Sequence, residues 1–266
     1  MTVPWLGLLG AVGIGLSLGL LGSGGSIVTV PVLVYLFGQA TKDAVAGSLL
    51  VVALVATAGA LLHARRQSPA WRVALLFAPT GMLGAWIGAL LSGLVGETTQ
   101  MRSFAAAMLL AAALMLRPPA ALRQSEGVAA NDGSAPPAAQ RWHWLLLLGA
   151  CTGLLTGFVG VGGGFMVVPA LVLGARLPMA QAVGTSLLLI ALNAATGFAG
   201  QWQAAGARGL WHLDYAVLAA VTVLGILGTV AGQRIAHRLP AVALRRVFAS
   251  CLMLLGGFLL WQGSPG

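Results

Sequence analysis

The chain has 266 residues, of which 59% are Ala, Val, Ile, Leu, Met, Phe, Trp, Tyr or Cys, 38 are glycine and only 7% carry a charge. A water-soluble domain of this size places charged side chains at roughly a quarter of its positions, so a soluble globule is excluded. The formal net charge of +9 comes from basic residues lying between apolar stretches, where they orient a membrane protein and form no nucleic-acid patch.

Windows free of Lys, Arg, Asp and Glu run over 1–41, 44–62, 73–96, 103–116, 142–175, 177–207, 215–233 and 247–266. Several reach the ~20 residues that cross a bilayer as helix. They are continuous runs of Leu, Ala, Val and Gly, unlike the ~10-residue alternating stretches of barrel strands. The fold class is therefore expected to be all-α, a polytopic membrane protein whose backbone is satisfied within its own helices. The first window opens on Met1-Thr2-Val3-Pro4-Trp5 without a basic n-region or a small-x-small cleavage site, and is expected to be retained.

Residues 5–40 are apolar but interrupted at Gly22-Ser23-Gly24-Gly25-Ser26, with Pro31 following. Each interior glycine costs a helix ~1 kcal/mol relative to alanine, so the cluster predicts unwound backbone between two arms. Such backbone is tolerated at membrane depth only when buried in protein or lining a cavity. The arm beginning at Ser26 would offer unpaired N–H groups and a partial positive charge, an anion site made without cations. The next span carries Ala46-Gly47-Ser48, the one after it Gly81, Gly84 and Gly88 in small-xxx-small spacing for helix packing, and a third begins near Arg102.

Residues 118–141 then hold Pro118-Pro119, Asn131-Asp132-Gly133 and Pro136-Pro137 with mixed charges, a turn-rich linker without a motif. Beyond it the pattern repeats. Gly15, Gly19, Gly22, Gly24, Gly25 and Pro31 recur 138 positions later as Gly153, Gly157, Gly160, Gly162, Gly163 and Pro169. Val183-Gly184-Thr185 answers Ala46-Gly47-Ser48, Gly225, Gly228 and Gly232 answer Gly81, Gly84 and Gly88, and Arg246 and Phe248 answer Arg102 and Phe104. The expected division is a first repeat over 1–117, a cytoplasmic linker over 118–141 and a second repeat over 142–266, forming one transport domain. Each repeat is a glycine-broken helical hairpin followed by three transmembrane helices.

Basic residues choose between a hairpin and a single crossing. If each broken segment returns to its starting side, 11 of the 14 Lys and Arg fall on one side and 3 on the other; if each crosses once, the split is 7 and 7. The positive-inside rule favours the hairpin, with both termini outside and the repeats inverted about an axis in the membrane plane.

The duplicated pattern, clearest in Gly160-Val161-Gly162-Gly163-Gly164-Phe165-Met166-Val167-Val168-Pro169, together with Val183-Gly184-Thr185-Ser186-Leu187, resembles the sulfite exporter TauE/SafE family of anion permeases, also called 4-toluene sulfonate uptake permeases. The likeness spans nearly the whole chain. The first copy departs from it with Ser23 and Ser26, and with Gly47-Ser48-Leu49 for the Gly-Thr-Ser run. The resemblance implies an integral inner-membrane protein, not an enzyme, that moves sulfite, sulfonates or related anions.

The substrate-binding set expected from these readings is Ser23, Gly24, Gly25, Ser26, Ser48, Gly162, Gly163, Gly164, Thr185, Ser186 and Asn193. Ser48, Thr185 and Ser186 would donate hydroxyls or else cap and back-bond their helices. Asn193, the one Asn or Gln placed well inside a span, would hold substrate or a neighbouring helix. Thr29, Thr57, Thr152, Thr156 and Thr196 are expected to join helices, Asp43 and Asp214 to cap them, and Arg102 and Arg246 to snorkel or gate an entrance. Cys151 and Cys251 are read as buried thiols. His63, His143, His212 and His237 lie at span ends, away from any zinc spacing, and no cofactor or metal is expected.

The expected partners are a small anion and the bilayer, with no nucleic acid; a homodimer is left open. No carboxylate sits in mid-membrane, so the simplest mechanism is uniport, in which the membrane potential drives an anion outward at ~2.3 kcal/mol per 100 mV. The rival readings are a cation or metal transporter, since unwound carbonyls also coordinate cations, and a membrane scaffold that transports nothing.

Overall fold

The computed structural model describes residues 5–22, 25–65, 67–96, 142–159, 164–175, 177–204 and 213–236, with isolated helical positions between 99 and 113 and between 250 and 257. Described residues form helix and connecting turns, without strand. The linker over 118–141 and most of the third helix of each repeat lie outside them, as do Arg246, Cys251, His212 and His237.

Helix α1 (Trp5–Leu21) ends at Gly22, whose φ of 70° is open to glycine at little cost. The Gly22 N–H donates to the Leu18 carbonyl at 2.9 Å. Helix α2 (Gly25–Pro31) runs back along α1. A Cβ on Gly7 would stand 2.6 Å from the Phe37 ring, one on Gly10 would stand 3.1 Å from Val32 and Leu36, and one on Gly25 would overlap the Ile14 carbonyl oxygen. The first broken segment is thus an antiparallel hairpin.

Past Pro31 the backbone widens into a π-helical turn over Val32–Leu36, in which Phe37 N–H reaches the Val32 carbonyl at 3.2 Å and Gln39 N–H the Leu33 carbonyl at 3.1 Å. Proline supplies no N–H, and its ring crowds the carbonyl four residues back, so regular α-helical bonding is interrupted at this point of the arm. The second copy does the same after Pro169. Helix α5 (Trp142–Val159), once past the glycine cluster, gives way to α6 (Gly164–Pro169) and a π turn over Ala170–Gly174. There Ala175 N–H bonds the Ala170 carbonyl at 3.2 Å and Leu177 N–H that of Leu171 at 3.1 Å. Leu148 packs on Gly174, so this segment also returns.

Among the described residues, four helices are long and apolar enough to cross a membrane: α3 (Thr41–Ala64), α4 (Trp71–Ser92), α7 (Met179–Ala204) and α8 (Tyr215–Ala236). Helices of 22 to 26 residues extend about 33–39 Å, against a hydrocarbon core of ~30 Å. The 17-residue α1 and 18-residue α5 are shorter than this group. Helices α3 and α7 make the centre, burying Leu49, Val51, Val52, Val55, Leu187, Leu189 and Ile190. Leu6, Leu9, Leu75, Leu83, Val223 and Leu227 face outward, as suits a surface in contact with lipid.

Glycine contacts fix the directions of the packed helices. Gly47 lies on Leu218 and Gly59 on Thr229, so α3 and α8 run parallel; Gly59 on Leu187 and Gly197 on Leu49 set α3 against α7. Helices α1 and α8 are parallel and pressed together: Cβ atoms on Gly15 and Gly19 would overlap the carbonyl oxygens of Gly225 and Thr229, and those on Gly228 and Gly232 the carbonyl oxygens of Val12 and Leu16. The other half repeats this, Gly153 and Gly157 on Gly81 and Ala85, Gly84 and Gly88 on Ala150 and Leu154, which makes α5 parallel to α4. Helix α4 is also parallel to α7, through Gly81 at Asn193 and Gly200 at Ala89. The glycine triplets on α4 and α8 therefore pack, each against a helix from the other half of the chain.

Several single-residue expectations change. Cys151 is exposed on α5, not buried, because an outward position facing lipid suits a thiol as well as the core does. Asp43 lies inside the first turn of α3, after Ala40 at the N-cap, where its charge complements the helix dipole; Asp214 does cap α8, its Oδ1 accepting from Ala216 and Val217 N–H at 3.0 and 3.2 Å. Thr29, Thr57, Thr152, Thr156 and Thr196 each donate to the carbonyl four residues back in their own helix, at 2.6 to 2.9 Å, and not across helices. That bond needs no partner helix, so an apolar neighbour suffices.

Candidate functional site

The turn of the first hairpin rests on the start of α7. Gly22 faces Val183 and Ser186, and the Ser186 hydroxyl lies 3.0 Å from the Gly22 carbonyl oxygen and 2.8 Å from that of Val183. One hydroxyl proton serves one acceptor at a time, so Ser186 can turn toward a third. Thr185 is committed: its Oγ1 accepts the Ala70 N–H at 2.9 Å, just ahead of α4, and donates to the Gln181 carbonyl at 2.8 Å. Ser26 is fully buried in the first turn of α2, and Ser48, also fully buried, donates to the Val45 carbonyl at 2.7 Å.

Asn193 sits seven residues past Ser186, about 10 Å further along α7. Its side chain has no exposure, and neither Oδ1 nor Nδ2 has a hydrogen-bond partner. It faces Gly81 of α4, where a Cβ would stand 2.7 Å from Oδ1. A buried amide without partners costs about 1–3 kcal/mol, so its presence calls for a reason beyond packing.

The sequence-derived set does not gather at one point. Gly197 of α7 touches Gly157, near the end of α5, eleven residues beyond Ser186, so the ends of α1 and α5 meet α7 at levels about 16 Å apart. The second arms, α2 and α6, touch one another. Gly25, Ser26 and Ser186 belong with the first hairpin, Asn193 lies deeper along α7, Ser48 lies on α3, and Gly164 begins α6. Ser23, Gly24, Gly162 and Gly163 lie outside the described residues.

Residues that the sequence reading did not place in the interior also enter it. His63 is buried in the last turn of α3 with its ring over Gly184. Asn193 is not the only amide within a span: Gln201 bonds the Ser92 hydroxyl and, at 3.5 Å, the Gly157 carbonyl, and Gln233 bonds the Gly59 carbonyl at 2.9 Å. Their apolar windows continue to or past both glutamines, which is the signal that could have placed them inside. Thr229 joins α8 to the Gly15 carbonyl of α1 at 3.1 Å. Among the described residues no three His, Cys, Asp or Glu side chains converge as metal ligands.

This arrangement of neutral hydroxyl, amide and backbone groups between packed helices suits a small polar solute crossing a bilayer. The family described as sulfite exporter TauE/SafE matches residues 7–259. Curated relatives named "probable membrane transporter protein" occur in Xylella fastidiosa, 31% identical over 94% of this chain and 92% of the relative; in Bacillus subtilis, 25% over 87% and 90%; and in Methanocaldococcus jannaschii, 22% over 98% and 96%. No solved structure matches the chain. A family match of this extent, carried on a bundle of apolar helices with two returning hairpins, makes the chain a member of the sulfite exporter TauE/SafE family of membrane transporters.

Proposed function

We infer that the protein exports small sulfur-containing oxyanions, sulfite or sulfonates, across the inner membrane. The observation that carries this reading is Asn193: a fully buried amide with both polar atoms unpartnered, able to donate to one oxyanion and accept from a hydroxyl. Ser186, Gly25 and Ser26 at the start of α2, Ser48 on α3 and Gly164 at the start of α6 supply neutral groups at other levels along the path, and Thr185 holds the turn ahead of α4. Such a set favours weakly hydrated anions over a more highly charged one, because desolvation opposes charge.

The two halves are inverted copies in this reading. Support comes from the helix directions, since α1 runs parallel to α3 and α8 while α5 runs parallel to α4 and α7, which oppose α3. The basic-residue bias puts both termini outside and residues 118–140 in the cytoplasm. A reporter active only in the cytoplasm, fused after Gly266, should accordingly stay inactive; full activity would reverse the topology.

The transport claim is tested in proteoliposomes loaded with labelled sulfite. Sulfite and alkyl sulfonates should compete for flux, and equimolar divalent metal ions should leave it unchanged. Metal flux without sulfite flux would establish the cation reading, and absence of both a scaffold.

A further inference from the structure

Contacts in the two halves match at a fixed offset. Gly15 lies on the Gly225 carbonyl oxygen as Gly153, 138 residues later, lies on that of Gly81. Gly59 meets Leu187 on α7 as Gly197, again 138 residues later, meets Leu49 on α3. Ser48 and Ser186 share that offset: both are fully buried, and each donates to the carbonyl of a valine three residues back, Val45 and Val183, at 2.7 and 2.8 Å. Packing thus pairs Ser48 with Ser186, one position beyond the Thr185 that the glycine motif gave it.

Seven residues further along each helix, two turns on and on the same face, the copies differ. Helix α7 carries Asn193, whose Oδ1 would stand 2.7 Å from a Cβ on Gly81; α3 carries Val55, whose Cγ2 would stand 2.9 Å from a Cβ on Gly225. Both side chains are fully buried. The contacts of Gly59 with Leu187 and of Gly197 with Leu49 put Val55 level with Ala191, so Val55 and Asn193 stand only about 3 Å apart along the bundle. In the inverted arrangement inferred above, the axis that exchanges α3 and α7 passes between these antiparallel helices at right angles to both. Such an axis keeps equivalent residues on one side of the pair. Ser186, which reaches the Gly22 turn, lies on that side with Asn193.

The oxygens of an anion need hydrogen-bonding groups when water is removed, and a hydrocarbon substituent needs an apolar wall. Asn193 offers an amide with neither polar atom engaged, and Val55 offers two methyls. We propose that Val55 is a specificity-determining residue: the anion turns its oxygens to Asn193 and its substituent to Val55, so that plain alkyl sulfonates pass in preference to hydroxylated ones. This rests on the anion-transport reading above and adds to it the direction in which the substrate lies. The test uses ethanesulfonate and isethionate, its 2-hydroxy derivative, which carry the same charge and differ by one hydroxyl.

In proteoliposomes of the full chain, kcat/KM for ethanesulfonate should exceed that for isethionate by about tenfold or more, the cost of a hydroxyl against an apolar wall. Val55→Thr should lower this ratio by about tenfold. Threonine keeps the shape of valine and can donate to the Val51 carbonyl four residues back, while its oxygen accepts from the isethionate hydroxyl. Val32→Thr, at a buried valine beside Gly10 in the first hairpin, should keep the wild-type ratio. The wild-type ratio decides even if Val55→Thr fails to fold. A wild-type ratio near one or favouring isethionate, a Val55→Thr protein with the wild-type ratio, or an equal shift in Val32→Thr overturns the assignment. Wild type that moves sulfite but neither sulfonate also overturns it and leaves the transport reading intact. Absence of sulfite and sulfonate flux from wild type overturns the transport reading itself, and the assignment with it.

Discussion

Gly15→Ala should cost the folded protein about 1–3 kcal/mol, whereas Gly13→Ala, two residues away on the same helix, should leave it as stable as wild type or raise stability by up to about 1 kcal/mol. The contrast comes from the surroundings. A Cβ at position 13 meets nothing within 4 Å, and one at position 15 overlaps the Gly225 carbonyl oxygen. Backbone cannot yield there without separating α1 from α8 along its whole contact. Gly153→Ala should match Gly15→Ala, because its Cβ meets the Gly81 carbonyl oxygen in the same way. Thermal unfolding in detergent, followed by loss of the monodisperse peak, reads all three. Equal melting of the position 13 and position 15 variants would mean that α1 is not held against α8 by glycine contact.

Asn193→Leu separates stability from activity in the opposite sense. Removing a buried amide with no partners removes an uncompensated desolvation cost, so the variant should melt at or above the wild-type temperature, gaining about 1–2 kcal/mol if leucine fits beside Gly81. Anion flux in proteoliposomes should fall below detection, because the donor and acceptor that an oxyanion would use are gone. Had the amide joined helices, stability and flux would fall together. A variant that melts earlier than wild type while still transporting would remove Asn193 from the site.

Much of this architecture was legible in the chain because lipid permits so few solutions. Charge-free windows gave the spans, and the recurrence of Pro31 as Pro169 anticipated two equivalent breaks, although not the π turn that follows each proline, since propensity carries no term for a missing N–H that the next turn can absorb. The glycine triplets on α4 and α8 announced close packing. Their partners, α5 and α1 from the opposite halves, were not readable, because small-residue spacing says that a face is flat and not what lies against it. The site was harder. Asn193 stood out as an amide inside an apolar run, yet its lack of partners is a tertiary fact. His63 reads as the end of a span until α7 is packed on it, and the threonines read as cross-links until their own helices supply the acceptor.

The pairing of α1 with α8 has a consequence for how the protein is made. The first helix enters the membrane some 210 residues before its partner begins to leave the ribosome, which at about 5–20 residues per second is roughly 10–40 s. Its glycine-lined groove has no counterpart during that interval, and the first hairpin must wait in the bilayer, or against the insertion machinery, with lipid chains where α8 will lie. Helix α5, by contrast, finds α4 already in place. The second half of the chain can therefore dock as it emerges, while the first half closes only when the last spans arrive.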